Sequence, residues 1–160
     1  MDRPVETLVS VRPPVAADEP AILGLAERLA AFGPTTRPAQ EIARRERRAL
    51  EDALRHPAPG STLLVADHPR LGVVGVLLLE TRRDYFTDES HGHVAILAVA
   101  RAAEGQGVGS ELLRAAEQWG RTHGFRRLTL AVFTENLRAR EFYARQGWQL
   151  ELETHYKTLR

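Results

Sequence analysis

The 160-residue sequence contains no cysteine. That excludes a disulfide framework, a thiolate nucleophile and a cysteine zinc site, and it suits a reducing cytosol, so a cytoplasmic protein is expected. Lysine is almost missing as well: of 22 basic residues only Lys157 is a lysine, three positions from the end. A Walker phosphate loop and a buried Schiff-base lysine are thereby disfavoured. Neither sign of charge is in excess, with 22 Lys plus Arg against 21 Asp plus Glu. No overall positive field draws the chain to nucleic acid or anionic lipid, so neither is expected as a partner. Long apolar runs are also missing. The longest, Val73 to Leu79, is interrupted by a glycine and falls well short of the about 20 residues that cross a bilayer. Met1 to Glu6 lacks the apolar stretch of a signal peptide, so neither membrane insertion nor export is expected.

What is present is the balance of one soluble domain over residues 1–160, with 43% hydrophobic and 27% charged positions and no internal repeat or low-complexity tract. Thr7 to Arg12 alternates as a strand. Asp18-Glu19-Pro20 opens a helix that carries Ile22, Leu25, Ala26 and Leu29 to Gly33-Pro34. Pro38 begins a second helix, ended by Pro57, with Ile42, Ala49, Leu50, Ala53 and Leu54 as its apolar stripe. Its other face interleaves Arg44, Arg45, Arg47 and Arg48 with Glu41, Glu46, Glu51 and Asp52, the pattern of a salt-bridged solvent face.

Ser61 to Ala66 and Val73 to Arg83 read as an antiparallel hairpin, followed by a polar loop, Asp84 to Gly92, and a strand from His93 to Ala100. After a glycine turn, Val108, Leu112, Leu113, Ala116 and Trp119 fall at helical spacing as far as Gly124. Arg127 to Phe133 is expected as a strand, Asn136 to Gln146 as a helix closed by Gly147, and Trp148 to Thr158 as a final strand. The order βααβββαβαβ implies an α/β (α+β) fold: one mixed, largely antiparallel sheet with helices on both faces.

The informative segment is Glu104-Gly105-Gln106-Gly107-Val108-Gly109-Ser110, between a strand and an amphipathic helix. Glycines let the backbone turn tightly with nothing projecting from it, so unpaired amides and the positive helix end form an anion site suited to a phosphate or diphosphate. A plain glycine-rich connection with no ligand has the same spacing. No lysine follows Gly109, which excludes a Walker loop, and the third glycine is misplaced for a dinucleotide fingerprint.

From about Val94 to Leu150 the chain resembles the GNAT superfamily of acyl-CoA-dependent N-acetyltransferases. Leu97-Ala98-Val99 stands where the family's strand ends, and Glu104-x-x-Gly107-x-Gly109 stands at its R/Q-x-x-G-x-G/A turn. Asn136, Phe142-Tyr143 and Gly147-Trp148 match a second motif in register. One residue departs: Glu104 replaces the family's Arg or Gln, and a carboxylate beside a diphosphate is unfavourable. Either its side chain turns to solvent while the amides of Gln106 to Ser110 do the holding, or binding is weakened and Arg101, Arg138 or Arg140 compensates.

The resemblance implies a GNAT-like fold, acetyl-CoA as co-substrate, no metal, and transfer to a primary amine of a small molecule by direct attack in a ternary complex. It implies Leu97, Ala98 and Val99 backbone contacts to the thioester and pantetheine arm, with Glu104, Gly105, Gln106, Gly107, Val108, Gly109, Ser110 and Asn136 around the cofactor. Tyr143 matches the usual general acid, and six residues before Val99 lies His93, where family members often carry the base. A histidine is chemically able, and residues 93, 95, 97 and 99 are expected to share one strand face. His91, Glu80 and Asp84 are rivals for that role.

Plain structural roles stand beside these: a core tyrosine, a strand-end histidine, and Asn136 as a helix cap. His91-x-His93 has no third ligand at a recognisable spacing, so no metal is expected. The loop Asp84 to His91, three carboxylates beside Tyr85 and Phe86, is a candidate cage for a cationic amine. Two other functions remain open: a CoA-binding sensor or partner module without turnover, and transfer to a protein or tRNA amine. Homodimers are common in the family, and no feature of this sequence shows one.

Overall fold

The computed structural model describes residues 8–160, so Thr7 of the expected first strand lies outside the described residues. The sheet order is β1-β2-β3-β4-β5. It is built from β1 (Ser10–Arg12), β2 (Thr62–His68), β3 (Gly72–Arg83), β4 (Ser90–Val99) and β5 (Leu128–Leu130). The first four strands pair antiparallel, and β5 joins β4 in parallel. The fold is thus the expected mixed sheet with helices on both faces.

Where one N-terminal helix was expected, there are two short ones, α1 (Glu19–Gly24) and α2 (Ala26–Ala30), broken at Leu25 just after Gly24, the weakest helix former in the run beyond its first turn. α3 (Ala39–Arg55) starts after Pro38 and buries Ala43 and Leu50. These helices cover one sheet face, where Ile22, Leu25, Ala26 and Leu50 pack on Val65, Val76, Leu78, Ile96 and Ala98. α4 (Val108–Thr122) covers the other, setting Val108, Leu112, Ala116 and Trp119 on Ala66, Val74, Leu77, Leu79 and Val94. α5 (Leu137–Arg145) follows β5. Gly92 allows the close approach of α4: a Cβ there would lie 2.7 Å from the Trp119 ring.

Near the end of the chain one expected strand is shortened and another is missing. β5 ends at Leu130 rather than Phe133, because beyond Val94 and Leu130 the two parallel strands have no register partners. Trp148 to Thr158 forms no strand at all: the segment has no ladder partner, and without one its backbone cannot be counted as sheet. Among the described residues no helix is long and apolar enough to cross a membrane.

Candidate functional site

One residue governs the site's geometry. Leu79 pairs with Val94 and Leu78 with Ile96, so Ala95 is an extra residue in β4 with no partner on β3. Such a bulge bends its strand and re-aims the residues beyond it. Below it, β4 holds β5 through Gly92, His93 and Val94. Above it, β4 keeps its ladder to β3 while its other edge stands free. The result is a wedge between β4 and β5, a cleft of about 530 Å³.

The bulge corrects one expectation. Residues 93, 95, 97 and 99 do not share a face: Leu97 and Val99 pack on the α4 side with Val94, whereas Ala95, Ile96 and Ala98 pack on the α1–α3 side. Gly92 faces α4, so His93 points the other way, opposite Leu97.

Main-chain groups line the free edge of β4. The amide of Ala100 donates to Val74 O at 2.7 Å, on the β3 side. Alternation then turns the backbone of Leu97 and Val99 toward the cleft. Arg28 Nε, donating to Val99 O at 3.3 Å, confirms that direction.

At the cleft's far end the chain makes a 3₁₀ turn, Arg101–Ala103, and enters α4 through Gly105 and Gly107, both left-handed at φ 74° and 79°. A side chain at either would be strained, and a Cβ would meet open space, which leaves the backbone bare. Gly107 caps α4 with no side-chain hydrogen bond, so the first-turn amides of Val108, Gly109 and Ser110 remain unclaimed by any side-chain cap. Gly109 has a different reason: a Cβ there would lie 3.1 Å from the Phe142 ring, so its absence lets α5 close on the start of α4.

Glu104 settles between the two accounts of it. Its carboxylate is an ion partner of Arg28 and of Arg138, the latter at 3.1 Å. Those contacts hold it well below the usual carboxylate range, the Arg138 hydrogen bond being the largest cause. Arg138, one of the three arginines the sequence offers, thus pairs with Glu104, joined by Arg28, whose position near in sequence to Phe32 and α3 gave no hint of it. Two guanidiniums and one carboxylate leave this corner positive.

Leu97, Ala98, Val99, Glu104, Gly105, Gly107, Val108, Gly109, Ser110, Asn136 and Tyr143 all line the one cleft. Gln106 does not, and its side chain instead donates to Ala102 O at 3.2 Å. Asn136 caps α5, its Oδ1 accepting from Ala139 N at 3.2 Å, while also facing the cleft. Tyr143 lies on α5 with its ring 5.4 Å from Phe142 and 6.1 Å from Trp148. Burial alone pushes its phenol above the ordinary value near 10, with no hydrogen bond among the causes. Its proton is held at neutral pH.

His93 is not among the cleft-lining residues. It is buried, its Nδ1 lies 2.8 Å from Thr129 Oγ1, and its pKa is lowered to about 4, chiefly by burial and then by Arg82. The rivals fare no better. Asp84 Oδ1 accepts from the amides of Phe86 and Thr87, both at 2.9 Å, as the cap of its own turn, and Glu80 is paired with Arg82 at 3.0 Å. Tyr85 and Phe86 stand in solvent away from the cleft rather than forming a cage within it. Among the described residues no group of three His, Asp or Glu could hold a metal ion.

Besides the ion-paired Glu104, the carboxylate that lines the cleft is Glu46, which the sequence places on a salt-bridged solvent face. That face is real for its neighbours, as Arg47 and Glu51 pair at 3.4 Å. Glu46 is half-buried instead, and burial raises its pKa above the usual 4.5 while Arg45 opposes the shift. The one signal that could have found it is its place one helical turn before Leu50 on the stripe facing the sheet.

Residues 25–148 match the model of the acetyltransferase (GNAT) family. An uncharacterized N-acetyltransferase of Bacillus subtilis, YobR, is 31% identical over 72 residues, which is 45% of this chain and 29% of that protein; the chain thus spans less than a third of that relative. The BH1408 protein of Bacillus halodurans, solved as a tetramutant, superposes with a TM-score of 0.75 at 18% identity, over 94% of this chain and 99% of that one. The aminoglycoside N-acetyltransferase AAC(6')-Iy, solved with CoA, superposes with a TM-score of 0.70 at 17% identity, over 95% of each chain.

Proposed function

Because the chain belongs to the acetyltransferase (GNAT) family, we propose that its cleft binds acetyl-CoA and passes the acetyl group to a primary amine of a small molecule by direct attack in a ternary complex. The observation that carries this reading is the wedge opened by the Ala95 bulge, which joins a bare strand edge, an uncapped helix start and a half-buried tyrosine in one cavity. The CoA diphosphate sits on the amides of residues 106–110, and Arg28 and Arg138 supply the positive charge. The backbone of Leu97 and Val99 holds the pantetheine arm and thioester as an added strand would be held.

The chemistry needs a neutral amine, donors for the carbonyl oxygen and a proton for the leaving sulfur. The amine nitrogen bonds to the acetyl carbon, the carbon–sulfur bond breaks, and the thiolate takes the Tyr143 proton. Of the two protons the ammonium loses on becoming an amide, the first goes to Glu46, directly or through water, and the second restores the Tyr143 phenolate. Glu46 is favoured over His93 because it faces the cleft and because burial moves it toward neutrality, whereas a histidine near 4 grips a proton weakly. With Glu104 neutralised by two arginines, its main reason for a silent CoA sensor falls away.

The test is thiol release from acetyl-CoA against a panel of amines, aminoglycosides included because a similar structure is an aminoglycoside acetyltransferase. Turnover with one class supports the reading. CoA binding seen by calorimetry, with no turnover on any small amine, would transfer support to a sensor or to a macromolecular acceptor.

A further inference from the structure

Two phenylalanines stand in the cleft with no part in holding CoA. Phe32 follows α2 and Phe133 follows β5, and both line the cavity while 41% and 38% exposed. Large apolar side chains left open inside a cavity are surface offered to a ligand. The chain draws the two together. In the connection between α2 and α3 the Thr35 amide donates to Glu135 Oε2 at 3.1 Å and the Thr35 hydroxyl donates to Glu135 Oε1 at 3.3 Å. The Arg37 guanidinium lies 5.9 Å from the centre of the Phe133 ring. Next to Phe32, Gly33 rests so closely on Ile42 that a Cβ would lie 2.7 Å from its Cδ1. Ile42 precedes Glu46 by one turn, so Phe32 is set beside the stretch of α3 that carries this carboxylate.

Charge is the second observation. Arg28, Arg138 and Arg145 line the cleft against two carboxylates, Glu46 and Glu104, and Glu104 is taken by Arg28 and Arg138. Glu135, close to Phe133 in the chain, is taken by Thr35. Among the described residues that line the cleft, Glu46 alone is left to meet a cation. The phenyl faces offer little to a second one. Arg28 lies 5.5 Å from the centre of the Phe32 ring, so each phenylalanine already carries a guanidinium. One ammonium finds a partner here, whereas a second would be stripped of water beside like charge.

We infer that the acceptor is a singly charged amine with an apolar body, its ammonium on Glu46 and its body between Phe32 and Phe133, and that diamines, polyamines and aminoglycosides are disfavoured by their further charges. This rests on the reading of the cleft as an acetyl-transfer site and narrows it to one class of amine. The ammonium that Glu46 holds is also the one whose proton it takes, so recognition and deprotonation fall on the same carboxylate.

Hexylamine and 1,6-diaminohexane are the matched probes, equal in length and different only in a second ammonium. Each is titrated by calorimetry into the full-length chain, with and without CoA, and each is assayed for thiol release from acetyl-CoA. Hexylamine should bind at least about tenfold more tightly at low salt, the gap narrowing as salt rises. From ethylamine to hexylamine the affinity should climb by up to about fourfold per methylene. Phe32→Asp supplies a second carboxylate at a partly exposed position and should turn the preference toward the diamine; Phe133→Asp does the same from the facing wall if the first variant fails to fold. Diamine binding equal to or tighter than that of hexylamine in the wild type overturns the inference. So does a flat chain-length series, a lack of hexylamine binding, or a preference that a folded variant leaves unmoved. Preferred binding of hexylamine with no thiol released upholds the specificity and defeats the transfer reading, which keeps the two failures apart.

Discussion

Arg138 Nη1 on α5 donates to Glu104 Oε2 at the mouth of the glycine turn, 3.1 Å away, and Arg28 on α2 holds the other oxygen of the same carboxylate. Three separate elements thus meet where a diphosphate would lie, and the carboxylate acts as a spacer that fixes two guanidiniums. Removing its charge frees them. Glu104→Gln should therefore leave CoA affinity unchanged or tighten it up to about fivefold, whereas Arg138→Ala should weaken it by a similar factor, both effects shrinking as salt rises. Calorimetry at two ionic strengths measures them. Loss of binding on Glu104→Gln would mean that the carboxylate itself touches the cofactor.

Tyr143 should divide binding from chemistry. Phenylalanine at this position keeps the ring against Phe142 and Trp148 and removes only the hydroxyl. A general acid contributes about 10²- to 10⁴-fold, so kcat should fall by that amount with the CoA dissociation constant within about twofold of wild type. Because burial raises the phenol above its ordinary pKa, the acid stays protonated through neutral and mildly alkaline pH, and no alkaline limb from this group is expected below about 10. Steady-state rates of Tyr143→Phe across pH test both statements.

The glycine turn was legible because its physics is local. Left-handed φ at Gly105 and Gly107 demands a residue without Cβ, and the demand is written in the residue type. The bulge at Ala95 was not, since it arises from a shift of register against β3 and alanine carries no mark of it. That single unread residue reversed the expected face of His93. Glu46 was hidden for a related reason: interleaved charges look alike along α3 until packing decides which of them turns inward. The end of the chain shows the limit of periodicity: Trp148 to Thr158 alternates as a strand does, yet pairs with no other strand.

Glu46→Gln separates the two proposed proton acceptors. The carboxylate must be ionised to take the amine's proton, so kcat/KM should decline as pH falls through its pKa, which burial has moved above 4.5. Glutamine should lower the plateau by about tenfold or more and erase that acidic limb, with CoA affinity kept. The charge is also unfavourable where it sits. A carboxyl with a raised folded-state pKa destabilises the fold only above the unfolded value, so the same variant should show a small rise in Tm at pH 7 and none at pH 4. An unaltered pH profile would remove Glu46 from the proton's path.

His93 should make itself felt in stability rather than rate. In the unfolded chain the imidazole protonates near 6.5, but in the folded protein burial and Arg82 delay this to about 4. The unfolded state therefore binds more protons between those values, and stability falls as pH drops from about 6.5 to 4, by on the order of 2–3 kcal/mol from this group. The Thr129 hydroxyl at 2.8 Å cannot offset that loss, because it partners the neutral ring equally well. His93→Gln should flatten this part of the pH–stability curve in urea unfolding while leaving the acidic limb of kcat/KM in place. A variant that kept its stability profile and lost the kinetic limb would return the base to His93 and release Glu46 to a binding role.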